Sequence, residues 1–278
     1  MNTRMKGPAM KGPELLAAEA GILRTRVGAC WPGSHAIFRG HDLHQQFHDA
    51  DWMDLYVYGI TGRRFTPQQL RLLHGIWVNT SYPDTRLWNN RVAALAGNVR
   101  SSPVLGLSAA LAVSEARIYG GGPGLRAINF FYRARKAVDG GQPLRAFVES
   151  ELASKRHLYG YGRPIEAHDE RLPFLSGLAR SLGLADGPVF RMAHEIERIL
   201  TTELGKPALR MNYAAMTASL GADMGLSARE FQIFRVPLFL AGMPPCLVEA
   251  AQKPEGSLFP TPCDGIAYTG VGKRAWRK

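Results

Sequence analysis

Apolar positions along the chain recur mostly at three- and four-residue intervals, the period of an amphipathic helix, and seldom alternate as a half-buried strand requires. The clearest start signal is FTPQQL: Thr66 stands at an N-cap, Pro67 in the first turn and Gln69 where a reciprocal cap belongs, with Phe65 and Leu70 as a hydrophobic staple. Leu70, Leu73 and Trp77 then fall on one face. LSAREF repeats the device with Ser227, Glu230, Leu226 and Phe231, and leads into FQIFRVPLFLAG. Between them, the segment PVLGLSAALAVSEARIY after Ser102 is apolar nearly all round, which predicts a buried central helix. It stops at the glycines of 120–122 and Gly124. Further helical patterns cover about 125–138, 142–153, 170–182, 188–204 and 208–223, broken at glycine-containing turns. No region carries several alternating strands at regular spacing, so the expected fold class is all-α, with Trp52, Trp77 and Trp88 read as core packing.

The two ends break this pattern. MNTRMKGPAMKGP holds two Gly-Pro breaks and reads as a loose arm, so that 1–34 is expected to be a flexible arm and a leading helix. The last stretch, about 254–278, is rich in Pro and Gly and reads as an extended arm lying over the body or over a partner subunit.

Composition adds bounds. With 278 residues and 46% hydrophobic content the chain can bury a substantial core. A net charge of +11 favours anionic partners: nucleic acid, anionic lipid or a phosphate-bearing small molecule. Three cysteines without CxxC spacing suggest neither a disulfide framework nor a zinc knuckle, and a reducing cytoplasm is the simplest home. RTRVGAC looks superficially like a lipoprotein cleavage site, but Glu19, Arg24 and Arg26 interrupt the apolar run that it needs. No stretch reaches the roughly 18 uncharged apolar residues of a membrane span, so no membrane partner is expected.

One motif stands apart: YGYGRPIEAHDERLPFL, at 159–175. Its Gly160, Tyr161, Gly162, Pro164, Asp169 and Arg171 resemble the glycine turn of the citrate synthase superfamily, G-F/Y-G-H-P followed by D-P-R. Other blocks follow in family order. FRGHDL resembles an early R-G-Y-D-I element; IYGGGPGLRA sits where the family has H-G-G-A; LRMNYAAMTASLGADMGLS is similar to the L-N-x-D-G segment of the short citryl-CoA lyase branch. IFRVPLFLAG resembles the arginine helix, and AYTGVGKRAW the closing Y-x-G-x-x-x-R. The resemblance spans about residues 37 to 278.

It implies a two-lobed helical homodimer: a citrate synthase-like domain over 35–278, with a smaller lobe at about 124–208 that closes over the site. The implied activity makes or breaks a C–C bond between an acyl-CoA and a carboxylate or keto-acid partner, with a coenzyme A ester as substrate and no metal. Such chemistry needs a base at the thioester α-carbon, donors at the enolate and keto oxygens, and arginines for the carboxylates. By this resemblance the family's two histidines fall at Tyr119 and Arg163, and its aspartate, counted back from Asp223 and Gly225, at Ala214. The resemblance makes Tyr119, Arg163 and the surviving Asn212 the expected catalytic residues, Arg171 and Arg235 match the carboxylate clamps, and Lys155, Arg156, Gly160 and Gly162 are the expected coenzyme A contacts. A guanidinium polarises an oxygen but relays no proton, and a phenol donates one hydrogen bond. Either the pocket runs altered chemistry, with Asp169, Glu166 or His168 as base, or it only binds. Lys155 and Arg156 read equally well as a solvated helix end.

Other candidates are set aside. His41, His44 and His48 fall at helical spacing, but a metal site wants ligands in strict geometry. The basic ends, with Trp276 for stacking, suit nucleic acid, yet no recognised binding module is present and a coenzyme A ester already accounts for the positive charge.

Overall fold

The computed structural model describes residues 11–21, 23–117, 119–155, 157–164, 166, 168–257 and 262–276. The chain divides into two compact units, Met1–Phe65 and Thr66–Lys278.

The first unit begins with α1 (Pro13–Glu19) and continues into an antiparallel sheet of β1 (Gly28–Trp31), β2 (His35–Phe38) and β3 (His41–Asp42). Gly28 pairs with Phe38, and Ile37 with Asp42. The strands are four, four and two residues long, too short to carry a visible alternation, and β1 lies inside the stretch expected to be an arm. Two helices follow, α2 (Leu43–Gln46) and α3 (Trp52–Thr61). Asp42 caps α2 by accepting from the amides of His44 and Gln45. Met53 and Val57 of α3 are fully buried, with Phe47 and Tyr58 packed ring to ring beside them. The histidine spacing is not that of one helix: His41 is in β3, His44 in α2, and His48 lies beyond it.

In the second unit α4 (Pro67–Thr80) opens with both halves of the expected capping box in place. Then come α5 (Trp88–Asn98), α6 (Pro103–Val113), α7 (Gly121–Asp139), α8 (Leu144–Lys155), α9 (Leu172–Ser181) and α10 (Pro188–Arg198), which runs on into a π turn at Ile199–Glu203. After it come α11 (Tyr213–Asp223), α12 (Ala228–Phe234), α13 (Val236–Leu240) and α14 (Met243–Ala251). The second capping box, Ser227 with Glu230, opens α12. Helix α5 packs between α6 and α14, and α11 lies against α7 and α10.

The buried central helix is α11, not α6. From Tyr213 to Gly221 only Ala214 escapes full burial. In α6 only Gly106 and Ala110 are buried, while Val104 is 73% and Leu105 67% exposed. The small residues of α6 let it lie close on α5, where a Cβ on Gly106 would come 2.6 Å from that of Ala96, and its other face is uncovered within this chain. Two of the three tryptophans read as core are also exposed: Trp52 at 42% and Trp88 at 49%. Trp88 rests on the Tyr119 ring, 4.9 Å between centroids.

One run, Ala228–Ala251, is long and apolar enough by length and composition to cross a bilayer. Here it is divided into α12, α13 and α14, broken at Arg235 and Gly242, with Phe231, Phe234, Leu238, Met243 and Leu247 buried. The C-terminal residues 262–276 hold a single turn of 3-10 helix, Cys263–Gly265, and expose Ile266, Tyr268, Val271 and Trp276.

Candidate functional site

The glycine turn is stitched to the start of the buried helix. Gly162 donates its amide to Arg210 (2.6 Å), Asn212 donates its own to Gly160 (2.9 Å), and Tyr161 bridges Met211. Gly160 has φ +99, and a Cβ there would lie 2.7 Å from that of Ala215, so the backbone passes against α11 where no other residue fits. Asn212 is the N-cap of α11: its Oδ1 accepts from the Ala214 amide (2.9 Å), and its Nδ2 donates to the Gly162 carbonyl (2.8 Å). Expected as a catalytic residue, it spends both ends of its carboxamide on holding the turn.

This junction forms one wall of a cavity of about 360 Å³, to which Tyr119, Arg163, Arg171, Asn212, Ala214 and Arg235 all contribute. The three expected arginines therefore converge, but each reaches the cavity already engaged. Arg171 donates through Nε and Nη2 to the two oxygens of buried Asp169, both at 2.7 Å, and lies 4.2 Å over the Tyr213 ring and 5.4 Å over that of Tyr82. Its Nη1 has no acceptor among the described residues. Arg163 donates to the His168 carbonyl (2.6 Å) and to Glu170 (3.0 Å), whose other oxygen accepts from the Tyr82 hydroxyl (2.9 Å). Arg235, 7% exposed, forms no ion pair among the described residues: it donates to the carbonyls of Gly121 (3.2 Å) and Gly120 (3.1 Å).

The glycine run before α7 makes this possible, because a Cβ at Gly124 would stand 1.4 Å from Arg235 Nη1. Burial pushes the Arg235 guanidinium down to about 10, since desolvation penalises its charge. Burial also pushes Asp169 upward, but the hydrogen bonds and charge of Arg171, the Tyr213 amide and the charge of Arg163 outweigh it and hold the carboxyl below its ordinary value.

The cavity thus offers donors in a field where three guanidiniums face two carboxylates, Asp169 and Glu170. It can grip an anion rich in acceptor oxygens. As a base, Asp169 is poorly suited: Arg171 and the Tyr213 amide saturate it, and its pKa is depressed. Glu166 accepts from the His168 amide (3.2 Å), and both residues are exposed.

Sequence reasoning missed Asn89, Asn90 and Tyr82. The first two form an adjacent carboxamide pair in the first turn of α5, and both are buried, Asn89 4% exposed and Asn90 1%. The signal available was that pair, since asparagines inside an apolar helix ask for partners. Tyr119 donates its hydroxyl to Asn89 Oδ1 (3.3 Å), and burial pushes the phenol upward.

The expected coenzyme A contacts do not come together. Lys155 lines a second cavity of about 620 Å³ between α7 and α8, with Arg126, Arg133, Lys136, Glu151, His157 and Tyr159. There Lys155 (2.6 Å) and Arg133 (2.7 Å) both pair with Glu151, and Arg126 stands 5.0 Å over the Tyr159 ring. Gly162 lines the arginine cavity instead, Gly160 is packed on α11, and Arg156 lies outside the described residues.

No family model and no curated protein matches the sequence. Solved structures do match. The citryl-CoA lyase of Hydrogenobacter thermophilus aligns over 92% of this chain and 98% of its own at 19% identity, with a TM-score of 0.81. The ATP citrate lyase of Methanothrix soehngenii, solved in complex with citrate and coenzyme A, aligns over 98% of this chain and 47% of its own at 18% identity and a TM-score of 0.69. Citrate synthase from the archaeon Thermoplasma acidophilum, in a ternary complex with carboxymethyl coenzyme A and oxaloacetate, aligns over 82% of this chain and 59% of its own at 16% identity and a TM-score of 0.63. This chain has the fold shared by citryl-CoA lyase and citrate synthase.

Proposed function

We propose that this protein makes or breaks a C–C bond between an acyl-CoA and a polycarboxylate or keto-acid partner, with altered residues at the reacting positions. The single observation that carries the reading is the convergence of Arg163, Arg171 and Arg235 on one cavity within a citrate synthase fold. In this reading Arg171 Nη1 and Arg235 hold carboxylates. Arg163, released from Glu170, polarises the keto oxygen, and Tyr119 and Ala214 occupy the positions of a histidine and an aspartate. The basic cavity at Lys155 takes the phosphate-bearing end of coenzyme A. The lobe at about 124–208 closes over the site and excludes water. The chain works as a homodimer, the uncharged face of α6 with Val104 and Leu105 meeting a second copy; Leu105→Glu shifts sedimentation to the monomer if so.

A second reading, a protein that holds an acyl-CoA or polycarboxylate without turnover, is favoured by the saturated state of Asp169, the one carboxylate lining the cavity among the described residues.

Incubation with citryl-CoA, or with acetyl-CoA plus oxaloacetate, separates them. Cleavage gives acetyl-CoA and oxaloacetate, which is trapped as its phenylhydrazone. Condensation consumes oxaloacetate, and hydrolysis of its product frees the coenzyme A thiol. Turnover that Arg163→Ala abolishes supports the enzyme, and ligand-dependent thermal stabilisation without turnover supports the binder. Neither signal, with these or related acyl-CoA esters, removes both.

A further inference from the structure

We propose that Asn89 is the neutral hydrogen-bond donor of the arginine cavity, presenting its Nδ2 hydrogens to an oxygen of the bound carboxylate, with Tyr119 as its positioning residue. The proposal deepens the reading of the cavity as a polycarboxylate site and rests on it.

The argument starts from the orientation of the carboxamide. Asn89 Oδ1 lies 2.9 Å from the backbone nitrogen of Asn90. A backbone N–H can only donate, so the atom facing it must be the oxygen. The Tyr119 hydroxyl donates to the same oxygen at 3.3 Å. Both contacts fall on Oδ1, which leaves Nδ2, on a residue 4% exposed that lines the cavity, with no acceptor among the described residues. A donor so placed is completed by a ligand or by water.

Its neighbours cannot take its place. Asn90 commits its Nδ2 to the carbonyls of Tyr82 and Asp84, which fixes the first turn of α5. Tyr119 has turned its only proton toward Asn89, so the phenol expected to donate to substrate orients the residue that does. Unlike the arginines, this donor carries no charge, and unlike Arg163 and Arg171 it is not occupied by an internal carboxylate. It favours an acceptor oxygen at one position and adds no further attraction for anions in general.

The test is calorimetric titration of the full chain with citrate as probe, beside side-chain amide NMR. Wild type binds, and Arg235→Met abolishes binding. Asn89→Asp, which turns a carboxylate oxygen toward the ligand, weakens binding about 100-fold or more. Asn89→Ser weakens it about tenfold, the value of one hydrogen bond to a charged group, and carries the test if the aspartate variant does not fold. Tyr119→Phe costs about threefold, because the Asn90 amide still holds Oδ1. The Asn89 side-chain amide signal, identified by its loss in Asn89→Ser, shifts on addition of citrate, which a merely structural role would not produce. A folded wild type that binds no citrate, or binds it as well after Arg235→Met, overturns the polycarboxylate reading and this inference together. Binding abolished by Arg235→Met but equal to wild type in folded Asn89 variants overturns this inference alone.

Discussion

Two basic cavities lie in the same unit, and their charges are held in opposite ways. In the cavity at Lys155 the cations are partly exposed: Arg133 keeps 46% and Lys155 42% of side-chain exposure, and both lean on Glu151, whose side chain keeps 14%. In the arginine cavity the carboxylate of Asp169 is fully buried and Arg235 nearly so. Surface pairing of the first kind adds little stability and is screened by salt, whereas burial of the second kind makes each partner indispensable to the other. The exposed cations of the first cavity tolerate replacement, while the ion pair of the second is part of the core. In the proposed function the comparison separates attraction from recognition: partly exposed cations suit the gathering of anions, and buried, fixed donors suit discrimination among them.

The largest break should come from Asp169→Ala. It leaves Arg171 buried without its counter-charge and removes the acceptor of the Tyr213 amide, so denaturant unfolding should show a loss of about 3–5 kcal/mol. The matching change in the cavity at Lys155, Glu151→Ala, should cost about 1 kcal/mol or less. Equal losses at the two positions would erase the distinction. Next, Arg235→Met replaces a buried cation that has no ion-pair partner among the described residues with an apolar side chain of similar length, and should raise the stability of the unliganded protein by about 1–4 kcal/mol. A lower melting temperature would mean that the carbonyls of Gly120 and Gly121 depend on it more than the missing carboxylate suggests.

Salt sharpens the contrast. Raising ionic strength from about 0.05 to 0.3 M should weaken coenzyme A binding several-fold through the exposed cations and leave citrate affinity within about twofold. Isothermal titration at both salts decides it.

The smallest effect is set by pH. Because the folded pKa of Asp169 lies below its ordinary value near 3.8, its stabilisation is complete above that value and is lost as pH falls through the folded one. The stability difference between wild type and Asp169→Asn should be flat from pH 7 to about 5 and shrink below pH 4. A difference that begins to shrink near pH 6 would point to another group.

Local rules were readable wherever they were local. Thr66 with Gln69 and Ser227 with Glu230 cap helices as their spacing demands, because a capping box closes within four residues. The meeting of Arg163, Arg171 and Arg235 was legible through the order of the motifs. What each arginine holds was not, since Glu170, Tyr82 and the Gly120 carbonyl are brought there by the fold. The exchange of roles between α6 and α11 has a similar cause. Hydrophobicity says that a helix must be covered, but not whether its own chain supplies the cover. The Asn89 carboxamide was invisible for a third reason: its meaning lies in one unpaired nitrogen, which no periodicity records.

The space beside Gly124 carries a consequence for how this sequence can change. Any side chain there would occupy the position of the Arg235 guanidinium, 1.4 Å away, so a methyl group at 124 evicts a cation held at the junction of α12 and α13. Substitutions at the two sites are therefore accepted in one order only. Once position 235 has lost its arginine the glycine is free to drift, but while the arginine stays, Gly124 cannot be the first to move.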